Sequence, residues 1–109
     1  MSTLAHETAE MQAGLCSAFA DPTRILILYV LDEKPRNVSE LAAQLNLSHS
    51  TTSRHLKVLK DFGMVTSDRQ GTNVLYHLSD PRLIQALDIL RSVMRDWIAN
   101  RASLLESSG

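Results

Sequence analysis

The sequence predicts a mainly α chain with a single β-hairpin, and three observations carry that prediction. Two short amphipathic segments, residues 39–46 and 48–62, are joined by a turn too tight for anything but a helix-turn-helix. The apolar period then switches from helical to alternating on either side of Gly71, as in a hairpin. Finally, the last two dozen residues return to a helical period with more apolar surface than a small core needs. A helix-turn-helix followed by a hairpin is a winged helix-turn-helix, an α+β arrangement. The expected organisation is one unit, 1–109, with the helix-turn-helix at 39–62 and the wing at 64–79. Dimerisation helices are expected at about 7–20 and 81–105.

In chain order, "ETAEMQAGLCSAFA" places Met11, Leu15 and Phe19 at intervals of four beside a stripe of Ala9, Ala13, Cys16 and Ala20. Small residues on one face let another helix approach closely. "DPTRILILYVL" starts a second helix with Asp21 as cap and Pro22 at the first helical position, where a missing N–H removes nothing. Its apolar run from Ile25 to Leu31 predicts burial on most sides. After the polar loop "DEKPRN", "SELAAQLNL" reads as a short helix capped by Ser39, with Leu41 and Leu45 facing inward and Asn46 ending it. Ser48 can cap the next helix, in which Leu56, Leu59 and Phe62 hold the back end to the core until Gly63 stops it. Val74, Tyr76 and Leu78 alternate with Leu75 and His77 in the second strand of the hairpin. "DPRLIQALDILRSVMRDWIANRASLL" then spaces Leu83, Leu87, Leu90, Met94 and Trp97 by four and three residues. Together with the first helix it is expected to form a homodimer interface.

Composition narrows the function. With 109 residues, 44% hydrophobic and 21% charged, the chain has room for one domain. It holds no apolar run of about 18 residues for a membrane span. The N-terminal "MSTLAHETAE" lacks a basic n-region, so a cytoplasmic protein with no membrane partner is expected. The single cysteine, Cys16, excludes an internal disulfide and a cysteine-rich zinc site. There is no G-x-S-x-G, P-loop or G-x-G-x-x-G, and His6, His49, His55 and His77 show no metal-ligand spacing. No enzyme activity, cofactor or metal is expected. The net charge of −1 hides an asymmetry: residues 48–77 hold Arg54, Lys57, Lys60 and Arg69 against Asp61 and Asp68, a net +2, and the remainder is −3.

That basic part is also where polar groups gather. "SHSTTSRHLKVLKDFG" places Ser48, Ser50, Thr51, Ser53, Arg54 and His55 in the first turns of a helix. Hydroxyls can bond any base edge, and arginine can form a two-pronged bond to guanine, so these types suit a helix whose N-terminus enters a major groove. Lys57 and Lys60, further along, suit phosphates. Arg69, Gln70 and Gly71 at the hairpin tip can reach the backbone or a narrow minor groove. Local chemistry leaves a second reading open for each: capping and solvation for the hydroxyls, a satisfied junction histidine for His55, a solvated loop for Arg69.

Together, "FADPTRILILYVL", "VSELAAQLNLSHSTTSRHLKVLKDFGMV" and "DRQGTNVLYHLSD" resemble the arsenic-repressor (ArsR/SmtB) family of winged-helix transcriptional repressors. The resemblance spans roughly residues 15–80, and the S-x-H-L-x-x-L-x-x-x-G-M-V pattern at Ser53 to Val65 is its most specific part. It implies a homodimeric repressor on a double-stranded operator with inverted-repeat symmetry, released by a small effector. The family's thiol motif would fall at Asn37 and Ser39, and its last-helix zinc set at Asp80, Arg82, Val93 and Asp96. Thiols and imidazoles are missing from these positions, so neither metal site is expected. The family's paired cysteines of the second and last helices are missing too. Cys16 has two readings, a buried small hydrophobe or a dimer-interface thiol for redox or soft-ligand chemistry. A winged-helix module that binds protein instead of DNA is the remaining alternative.

Overall fold

The computed structural model describes residues 3–108. Helices α1 (Thr3–Ala18), α2 (Pro22–Glu33), α3 (Val38–Leu45) and α4 (His49–Asp61) precede strands β1 (Val65–Gln70) and β2 (Asn73–Leu78) and the long helix α5 (Arg82–Ser108). The strands form one antiparallel hairpin, registered from Val65 opposite Leu78 to Gln70 opposite Asn73, with Gly71 at φ 63° in the turn. This is the winged helix-turn-helix arrangement expected from the sequence.

Local signals set the helix ends. Asp21 accepts a hydrogen bond from the Thr23 amide at 2.8 Å ahead of Pro22. Burial works to raise the Asp21 carboxyl, but this amide together with His55 and Arg24 holds it below the usual carboxylate range. The cap of α3 is Asn37, two residues before the predicted Ser39: its side chain accepts from the Glu40 amide at 2.8 Å, while the Glu40 carboxylate accepts from the Asn37 amide at 3.0 Å. That reciprocal box satisfies two orphan donors, whereas Ser39 satisfies none. Asn46 closes α3 in the left-handed region, at φ 55°. Gly63, at φ 76°, ends α4; its amide bonds the Lys60 carbonyl and the Met64 amide bonds that of Leu59, a Schellman motif. Helix α1 starts at Thr3, earlier than predicted.

The core lies where α2, α3, α4 and β1 meet, with Ile27, Leu28, Leu41, Leu56, Leu59, Met64 and Val65 all buried. Ile84 and Leu87 extend it under the first turns of α5. Two predicted packing positions differ. Phe62 is 40% exposed, because the Schellman turn carries it past the core to lie over Gly14, and Leu26 points outward from α2. The wing is fastened by backbone pairing between Arg36 and Tyr76, by the Ser79 amide on the Met64 carbonyl, and by the Lys60 ammonium on the Ser67 hydroxyl at 2.7 Å. No single helix among the described residues is long and apolar enough to cross a membrane.

The Leu59 side chain is fully buried at the centre of α4. Leu59→Ala is therefore expected to lower stability by about 2–5 kcal/mol in urea unfolding. Asp80 offers a pH-dependent contrast. Hydrogen bonds from the Arg82 side chain, then from its amide, lower the Asp80 carboxyl to about 2. A carboxyl depressed on folding stabilises above its unfolded value and loses that contribution as pH falls toward the folded one. Wild type and Asp80→Asn should thus differ in urea midpoint at neutral pH and converge between about pH 4 and 2.

Candidate nucleic-acid interface

Because α4 buries Thr52, Leu56 and Leu59 along one face, its opposite face is exposed. That face carries Ser50, Arg54 and Lys57, with Thr51 and Ser53 half-buried at its edge. The Arg54 side chain makes no ion pair or hydrogen bond among the described residues, which leaves its fork of donors open to a ligand. Lys57 is exposed and loosely paired with Asp61 at 3.1 Å, one turn on. A solvated pair of this kind exchanges readily for a phosphate.

Other predicted positions are engaged differently. The Ser48 hydroxyl accepts the Thr51 amide at 3.1 Å and donates to the Thr51 hydroxyl at 2.8 Å, so its first role is capping α4. Lys60 reaches Ser67 and fixes the wing against the helix. Of the two readings open for His55, its burial fits the satisfied histidine and not the base contact, although its partner is α2 and not the hairpin: it is only 8% exposed and faces Arg24, with Nδ1 at 3.5 Å from Nη1. Residue 55 lies three positions after Thr52 and next to Leu56, which puts it on the buried face. Arg69, Gln70 and Gly71 are all exposed at the wing tip, and the Arg69 side chain has no hydrogen-bond partner among the described residues.

One residue escaped the sequence reading. His49, the first residue of α4, is exposed and lines a hollow of about 330 Å³ with Asn37, Ser39, Thr72 and Asn73, between the helix-turn-helix and the wing. The signal was available, since the first turn of this helix is where donors face outward. Cys16 is exposed on α1 of the single chain, not buried as its small-residue stripe suggested. Among the described residues no group of three His, Cys, Asp or Glu side chains comes together to hold a metal ion.

An exposed helix N-terminus carrying hydroxyls and an unpaired arginine side chain, beside a hairpin with Arg69 near its tip, has the chemistry that suits nucleic acid. Comparison with known proteins agrees. The model of the bacterial regulatory protein family arsR matches residues 21–67. The HTH-type transcriptional regulator NmtR of Mycobacterium tuberculosis is 35% identical over 82 residues, covering 75% of this chain and 68% of that protein. The chain belongs to the arsR family of bacterial regulatory proteins. The crystal structure of NolR from Sinorhizobium fredii superimposes with a TM-score of 0.77 at 34% identity, over 85% of this chain and 93% of that one. A homodimeric winged helix-turn-helix DNA-binding domain from Mycobacterium bovis shares the fold with a TM-score of 0.78 at 24% identity, over 88% of this chain and 89% of its own. As an arsR-family member the chain is a DNA-binding transcriptional regulator and not an enzyme.

The contrast between Arg54 and Lys57 is measurable. Arg54→Ala is expected to weaken operator binding by about 1–3 kcal/mol and to relax sequence preference, while Lys57→Ala weakens all duplexes alike. Anisotropy titrations on operator and random DNA at several salt concentrations check this; equal losses on both duplexes for Arg54→Ala would exclude base reading.

Proposed function

We propose that this regulator is a homodimeric repressor that sets two α4 helices into successive major grooves of an inverted-repeat operator in the cytoplasm, and that a small effector releases it. The observation that carries the dimer is the shape of the single chain. Its radius of gyration is 17.5 Å, against about 13 Å for a compact chain of this length. The excess comes from helices that leave the core. Helix α5 is held to α2 at its start, where the Tyr29 hydroxyl donates to Asp88 at 2.7 Å and Arg91 stacks 4.5 Å above the Tyr29 ring. Beyond that point it projects with Met94, Trp97 and Ile98 on its surface, Trp97 being 68% exposed. Met11 and Leu15 are exposed on α1 as well.

Exposed apolar side chains in such number are unfavourable in water and are covered in stable proteins. A second copy covers them with the same face, since a two-fold interface is self-complementary. Two-fold symmetry then dictates the operator: paired reading helices roughly 34 Å apart match half-sites one helical turn apart in inverted orientation. An effector acts by changing the angle between the two winged lobes, because a rigid pair out of register with the grooves loses one half-site. The exposed Arg54 and Arg69 supply the contacts at each half-site.

Light scattering at micromolar concentration should return twice the mass of one chain. Trp97→Glu, which places a charge in the centre of the proposed interface, should shift the protein toward the monomer and weaken operator binding at least tenfold. A wild-type monomer that still binds operator tightly would overturn the dimeric reading.

A further inference from the structure

Arg24 is half-buried on α2, and its guanidinium reaches both α1 and α4. Its Nε donates to the Ala18 carbonyl at 2.8 Å and Nη2 to the Ser17 carbonyl at 3.4 Å, both in the last turn of α1. Its Nη1 lies 3.5 Å from Nδ1 of His55, on the buried face of α4. The carbonyls at a helix C-terminus have no intrahelical partner and form the negative end of the helix dipole. Helix α1 has no basic residue in its own last turn, so α2 supplies the cation. Nη1 donates to Nδ1 when His55 is the neutral tautomer with its proton on Nε2.

A guanidinium is flat and rigid, so one head that holds two elements fixes the distance between them. The ends of this link are themselves well anchored. Ala18 is 1% exposed, and His55 sits between the fully buried Thr52 and Leu56. Asp21, on the other side, contributes negative charge toward both His55 and Arg24. We propose that Arg24 is the positioning residue that couples the dimerisation helix α1 to the reading helix α4 through His55. A shift of the α1 C-terminus, from partner or effector, moves the first turns of α4 through this link. The proposal rests on the reading of α1 as a dimer helix and α4 as the DNA-contacting one.

The test uses the full-length dimer and a duplex selected by the wild-type protein from a random-sequence pool. Affinity for that duplex and for an unselected one is measured by anisotropy for Arg24→Gln, His55→Leu, His55→Gln and the double variant Arg24→Gln/His55→Leu. Arg24→Gln and His55→Leu are each expected to lose about tenfold on the selected duplex, with dimer mass and affinity for the unselected duplex unchanged. His55→Gln, whose side-chain oxygen still accepts from Nη1, should stay within about threefold of wild type. The double variant should lose no more than either single one, since both changes break one contact. Single variants with wild-type affinity, losses that multiply in the double variant, or His55→Gln as weak as His55→Leu would each overturn the coupling. Should Arg24→Gln fail to fold, Arg24→Lys replaces it, with the same loss expected, because one ammonium cannot hold both elements. A wild-type dimer that selects no duplex would overturn the DNA-binding reading beneath, and this proposal with it.

Discussion

Helix α4 has to bury one face so that the other can be offered, and the rest of the structure depends on that division. Leu56 and Leu59 are inaccessible to solvent and share one core with Ile27 and Leu28 of α2, Leu41 of α3, Val65 of β1 and Met64 from the turn before it. Thirteen residues are too few for a helix to be stable in water alone, so this packing is what makes α4 a helix. Once the apolar stripe is seated, the helical period leaves no freedom in where Ser50, Arg54 and Lys57 point. The wing is placed by the same seat, because the Schellman turn at Gly63 delivers Met64 and Val65 into the core and starts β1 there.

Electrostatics reinforce the division without creating it. The chain as a whole is slightly acidic, and its carboxylates concentrate away from α4 and the wing. Local positive charge beside a nearly neutral body steers a polyanion to one face and weakens adhesion elsewhere. Arginine and lysine have different roles on that face. The Arg54 and Arg69 side chains have no hydrogen-bond or ion-pair partner among the described residues, whereas Lys60 is committed to the wing and Lys57 is held only by a solvated pair with Asp61. Phosphate contact and internal bracing thus draw on the same kind of residue, and only packing separates the two.

The apolar surface on α1 and α5 is the converse case. It follows from the sequence period, yet within one chain it has nothing to cover. A core of this size is closed by Ile84 and Leu87, and the helical turns that follow run on into solvent. The extra length is intelligible in the proposed dimer, where a second copy supplies the missing layer.

What the sequence by itself determined is everything written in local periodicity and backbone chemistry. That covers the helix-turn-helix, the hairpin at Gly71, the caps at Asp21 and Ser48, the stop at Gly63, and an unusually apolar last helix. Each depends on residues a few positions apart, so a linear reading suffices. It placed the α3 cap at Ser39 because that reading followed the apolar run and overlooked the Asn37–Glu40 box. What only the tertiary structure decided is which polar side chain faces a neighbour and which faces solvent. His55 and Arg54 are adjacent and equally polar, yet one is buried against Arg24 and the other is free. Residues that distant in sequence meet only once α2 and α4 have packed, because a side chain's direction is set by its helix and its partner by the fold.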